Sequence, residues 1–123
     1  MGYTIIIGER MEKEESEDPD IYGPWAKVAY DPNAPSDGTE SDYLNERSFS
    51  YNEYADFAEE EDQSLFYSIV DNYVDYVYLT EELNTKIQSH VVQHEQNRST
   101  VDWFKYWCDK MYKECDTPII YNR

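Results

Sequence analysis

Basic residues are scarce in this chain: 10 lysines and arginines stand against 27 aspartates and glutamates, for a formal charge of −17. A surface of that sign repels nucleic-acid phosphates and anionic lipid, and draws basic partners over roughly one Debye length, ~8–10 Å at physiological salt. Glycine is scarce as well, with 4 residues. Neither a Gly-x-Gly-x-x-Gly run nor a Walker loop is present, so the usual backbone cradles for a nucleotide are absent. Cysteine occurs twice, at Cys108 and Cys115. Seven residues on a helix rise about 10.5 Å, beyond the ~7 Å between Cα atoms that a disulfide tolerates. The spacing also misses the Cys-x-x-Cys patterns of redox and zinc sites. Both are expected to be buried free thiols acting as small hydrophobes, which suits a reducing cytosol. No apolar run approaches membrane-spanning length, and "MGYTIIIGERMEKEE" offers too short a run, with acids after it, for a signal peptide. The Met-Gly start lacks the Ser/Thr that myristoylation wants at the sixth position. The chain is expected to work in solution inside a cell, with no membrane and no direct nucleic-acid contact.

At 123 residues the chain suits one domain with one core, 1–123. Hydrophobic residues make up 40% and aromatics 16%, enough to fold despite the charge. The 13 tyrosines suit cores with wet edges and binding faces alike, because each joins a large ring to a polar tip. The charge is unevenly placed: residues 1–62 carry −14 and residues 63–123 carry −3.

The run "YTIIIGE" is β-branched and predicts a strand, and "PWAKVAY" alternates Trp25, Lys27 and Ala29 with Ala26, Val28 and Tyr30, predicting a second that pairs antiparallel with the first. Acidic loops are expected at about 9–24 and 31–48, where Pro19 and the turn-rich "DPNAPSDGTESD" interrupt any periodicity. Ser50 caps a helix carrying Tyr54, Phe57 and Ala58 on one face, and Glu53 completes a Ser-x-x-Glu capping box. A helix from Leu65 gives way to an extended piece near 76–79. Thr80 caps the next helix, with Glu81 and Glu82 in its first turn and a buried stripe of Leu83, Ile87, Val91 and His94. A last helix starts at Ser99 or Thr100 and lines up Phe104, Trp107, Cys108, Met111 and Cys115. Its polar side holds Asp109 and Lys113 as an i,i+4 pair. Pro118 ends it, and "IIY" makes a terminal strand or anchor. The expected class is α+β: a small antiparallel sheet from the N-terminal strands, packed by three or four helices in a single domain.

Chemistry-bearing patterns are few. His90 and His94 lie four apart, but the His-Glu-x-x-His motif is absent, so a metal is not expected there. "DPNAPSDGTESD" lacks the ligand spacing of an EF-hand, and no nucleophile elbow appears. Neither a cofactor nor enzymatic activity is expected. The acids themselves remain. Carboxylates fixed on a rigid surface reproduce the phosphate field of a duplex, and can occupy the nucleic-acid channel of a basic protein. The residues that would form such a face are Glu12, Glu14, Glu15, Glu17, Asp18, Asp20, Glu59, Glu60, Glu61 and Asp62. A solvated acidic surface is the plainer alternative.

Several short motifs recur together in one family: Ile7-Gly8 at a strand end, Ala34-Pro35 in a loop, and Asn45, Arg47, Ser50 and Tyr51 before a helix. With them come Leu79-Thr80 and a C-terminal set of Trp103, Trp107, Cys115, Pro118, Tyr121 and Asn122. On these residues the chain resembles, over most of its length, a family of small uncharacterised tailed-bacteriophage proteins. It departs from that pattern in the long insert "MEKEESEDPD" and in the tyrosine-rich stretch 71–79. The resemblance implies a phage origin and a role in the cytoplasm of an infected bacterial host, and it carries over no catalytic residue. The leading expectation is an acidic accessory protein that binds and inhibits a basic host protein, one that handles nucleic acid, through a DNA-like surface. Sequestration of a small ligand is the alternative, in a pocket formed by Arg47, Trp107, Tyr121 and Asn122, with Arg98 and Lys105 as further cations. A virion or assembly component is a third.

Overall fold

The computed structural model describes residues 2–11, 25–35, 43–70 and 76–122. Strand β1 (Gly2–Met11) lies at the centre of an antiparallel sheet. On one edge it pairs in series with β3 (Glu46–Ser50), from Gly2↔Ser50 to Ile6↔Glu46, and with β2 (Trp25–Ala26) at Arg10↔Ala26. On its other edge runs β5 (Pro118–Asn122), followed by β4 (Tyr76–Tyr78). The helices are α1 (Tyr51–Glu61), α2 (Gln63–Val70), α3 (Glu81–Ser89) and α4 (Arg98–Glu114), the last preceded by a 3-10 turn at Glu95–Asn97. The architecture is the expected α+β, and the expected antiparallel pairing of the first two strands is present.

The period of two along β1 splits its isoleucines between the faces. Ile5 and Ile7, with Phe49 and Ile120 beside them, join the main core under the helices. Ile6 packs with Ala26 and Ile119 on the opposite face. The main core is aromatic: the Phe57, Phe66 and Phe104 rings pack at centroid distances of 4.5–6.1 Å. Tyr54, fully buried, spends its hydroxyl on the Phe66 carbonyl at 2.8 Å. Helix α4 buries Phe104, Trp107, Cys108 and Met111 as its spacing predicts, together with Val101 and Trp103. The Trp103 indole N–H donates to the Leu44 carbonyl at 2.9 Å.

Three local expectations need correction. β1 takes 9–11 of the expected 9–24 loop, whose residues 12–24 lie outside the described ones, and the stretch 31–48 is not one loop, since 46–50 is a strand. Its short polar residues hide the alternation that places Arg47 and Phe49 on the helix side, and its pairing with β1 is wholly non-local. The second strand stops at Ala26, because a side chain then replaces the ladder. Asn45, fully buried, donates to the carbonyls of Ile7 and Lys27 at 2.8 Å and accepts from the Ala29 N–H at 2.6 Å. Gly8 permits this crossing: a Cβ there would lie 3.1 Å from the Lys27 oxygen and 3.2 Å from the Asn45 amide. Finally, α3 ends at Ser89, so Val91 and His94 are exposed rather than part of its buried stripe, which consists of Asn84 and Ile87 with Leu83 half-buried.

Candidate interaction surface

Helix α1 is pinned at both ends. At its start the Ser50 hydroxyl accepts from the Glu53 N–H at 3.1 Å and the Glu53 carboxylate accepts from the Ser50 N–H at 3.2 Å, the predicted capping box. At its end Glu61 turns inward. Its Oε1 accepts from His90 Nε2 at 3.0 Å and from the Gln93 N–H at 2.8 Å. Its Oε2 accepts from the His94 N–H and the Asn97 side-chain amide, each at 2.9 Å. Burial pushes this carboxyl up, but the donors from Asn97, Gln93, His90 and His94 outweigh it and bring the pKa from 4.5 down to about 2. One carboxylate thereby ties the C-terminus of α1 to the chain between α3 and α4. This is why α3 cannot continue: the N–H groups of 93 and 94 are turned to Glu61 rather than back along a helix.

The remaining acids of α1 face solvent. Glu53, Asp56 and Glu59 are exposed and Glu60 is half-buried, while Tyr54, Phe57, Ala58 and Glu61 take the core side. At 100° per residue these four acids fall within an arc of about 120°, opposite the buried face, and span about 10.5 Å of axis. That averages about 3.5 Å of axis per charge, in steps of about 4.5, 4.5 and 1.5 Å, against a regular spacing of about 3.4 Å per charge along one strand of B-DNA. No lysine or arginine lies between Arg47 and Lys86 in the sequence. Glu53, Asp56 and Glu60 also line a cleft of about 520 Å³ between α1 and the start of α4, floored by Phe49 and Phe57. Arg47, at its margin, bonds the Ser99 carbonyl and hydroxyl at 3.4–3.5 Å. Asp62 is exposed and caps α2 through the Leu65 N–H at 3.1 Å.

Of the ten acids expected to form a mimicry face, Glu12, Glu14, Glu15, Glu17, Asp18 and Asp20 lie outside the described residues. Glu59, Glu60 and Asp62 are at the surface, and Glu61 is not: its buried side chain serves the fold. The structure adds Glu53 and Asp56, which share a face with Glu59 and Glu60 at helical spacing that the sequence already carried.

The expected ligand pocket does not assemble. Trp107 is fully buried in the main core under the helices. Tyr121 packs on the opposite face of the sheet, beside Ile6 and Ile119. Asn122 and Arg47 share a row with Ile5, one on each side of it, but the sheet itself separates them from Tyr121. The two histidines diverge too: His90 caps α3 and holds Glu61, whereas His94 begins the 3-10 turn and is exposed.

Elsewhere the polar contacts are structural. Tyr106 donates to Asp31 and Lys110 lies 3.4 Å from it, tying the 31–35 turn to α4. The Tyr106 bond, then that from the Asn33 N–H, holds the Asp31 carboxyl below its usual range. Cys108 is a buried free thiol, as expected; Cys115 is free too but, contrary to expectation, only half-buried, because α4 ends at Glu114 and Cys115 is its C-cap. Burial pushes both up, Cys115 to about 11. Among the described residues no helix is long and apolar enough to cross a membrane. No protein-family model matches the chain, and neither a curated protein nor a solved structure matches it.

Proposed function

We propose that this is a non-catalytic binding protein that engages a basic, nucleic-acid-handling partner through the acidic face of α1, and thereby inhibits it. The observation that carries the reading is the solvent arc of Glu53, Asp56, Glu59 and Glu60. These are four carboxylates whose mean axial spacing is close to the per-strand charge spacing of DNA, on a helix whose two ends are fixed. Rigidity matters because a partner built for a duplex meets charges already in place, so little ordering entropy is lost on docking. The net charge of −17 speeds the encounter with a cationic surface, and screening by salt weakens it. The resemblance to small phage proteins fits a host protein as the target. Immobilised protein incubated with bacterial lysate at low salt, washed with rising salt and analysed by mass spectrometry tests this. A captured DNA- or RNA-handling protein that duplex DNA competes off supports the mimicry. Captured partners indifferent to both salt and DNA would refute it.

A further inference from the structure

The cleft between α1 and the start of α4 offers a cation more than general attraction. Glu53, Asp56, Phe57 and Glu60, at i, i+3, i+4 and i+7, form one stripe of α1 along it, and Glu59 is not in its lining. Three carboxylates therefore border the cleft against one guanidinium, that of Arg47. Asp56 is exposed and makes no hydrogen bond or ion pair among the described residues. Glu53 and Glu60 each commit one oxygen within the protein, to the Ser50 N–H and the Gln96 amide, and keep the other. The floor is aromatic, and at its margin the Arg47 guanidinium already lies over the Phe49 ring, 5.8 Å from the centroid.

Asn97 adds an acceptor of fixed sense on the α4 side. It is 8% exposed, and its Nδ2 donates to the ionised Glu61 at 2.9 Å. A carboxylate only accepts, so the amide nitrogen has to be the atom turned to it. The Oδ1 is what Asn97 has left for the cleft: it does not cap α4 and has no hydrogen-bond partner among the described residues. No three acidic, histidine or cysteine side chains among the described residues converge closely enough to share a metal ion. Acceptors spread in this way suit a cation whose donors are spread as well.

We infer that the cleft receives an arginine side chain of the partner protein. Its planar fork of five N–H groups reaches the α1 carboxylates and Asn97 Oδ1 together, while its flat face lies on the aromatic floor. A lysine brings a compact, strongly hydrated charge that meets fewer of these acceptors and stacks less well. The inference rests on the proposed function and narrows it, from a basic surface to one that presents an arginine.

The probes are N-acetylarginine amide, its lysine counterpart and the uncharged citrulline counterpart, titrated into the full chain and followed by amide NMR. The arginine compound should move the Asn97 side-chain amide signals and bind at least about threefold tighter than the lysine compound, with the citrulline compound weaker still. Asp56→Asn should weaken the arginine compound about fivefold. Glu59→Gln, the same loss of charge on the same helix but outside the cleft, should weaken it less than about twofold. Equal binding of the arginine and lysine compounds, an unmoved Asn97 amide, or equal weakening by the two substitutions would each overturn the inference. The lysate experiment is read separately: a partner captured there by a chain that does not prefer arginine leaves the acidic-face reading standing and removes this one. Arginine bound without any captured partner does the reverse.

Discussion

Glu61 illustrates how far a single residue can depart from its composition. In the sequence it sits in an "EEED" run and reads as one more surface charge. In the fold it accepts four hydrogen bonds that no neighbouring acid could reach. Replacing it with glutamine sets an amide among donors and leaves at least one of them buried and unpaired. The expected loss is about 2–4 kcal/mol, measured by urea unfolding; Glu59→Gln, on the exposed side, should move the same curve by less than about 0.5 kcal/mol. The pH dependence has a definite sign. The folded pKa of about 2 lies below the ordinary 4.5, so the stabilisation is complete above about 4.5 and is lost as the pH falls toward 2. Unfolding midpoints between pH 6 and 2 check this, and the slope over the acid limb should shrink in the Glu61→Gln variant. Asn45 teaches the same lesson: it reads as a loop residue, yet its amide splices β1 to the chain beyond β2.

For the elements, local signals proved most informative where the chemistry is local. The Ser50–Glu53 box, the Thr80 cap and the α4 apolar face from Phe104 to Met111 appear where their spacing puts them, while Cys115 falls just past the helix end. Ser50→Ala removes one side of the box and should cost about 1 kcal/mol, read as a lower thermal midpoint with helix content otherwise kept. Strand β3 and the early end of α3 were not legible. The first depends on β1, some forty residues earlier, and the second on Glu61, about thirty residues earlier, and periodicity within one window carries neither. Helix α4 yields a further test. Burial holds the thiolate form of Cys108 out of reach at neutral pH, while half-buried Cys115 is raised to about 11 by partial burial and the carboxylates near it. Cys108 should resist iodoacetamide in the native state and react once urea unfolds the chain. Fast labelling of Cys108 without denaturant would contradict the packing of α4.

Over the whole molecule, the charge asymmetry was plain from composition, but its geometry was not. The acids of the described first half include groups held by the fold, such as buried Glu61 and half-buried Asp31, and those on the outer face of α1, where Glu53 also caps the helix and Glu60 accepts from Gln96. The small-ligand pocket failed for a topological reason: Trp107 and Tyr121 come close in sequence but lie on opposite faces of the sheet. What the described residues offer to a partner is the acidic outer face of α1, on which the proposed binding rests. The most direct test compares capture of lysate proteins by the wild type and by a variant carrying Asp56→Asn, Glu59→Gln and Glu60→Gln, after circular dichroism confirms that both fold. The account predicts that a nucleic-acid-handling protein is retained at low salt by the wild type, released as salt rises, and lost from the variant. Retention of the same protein by both would contradict it.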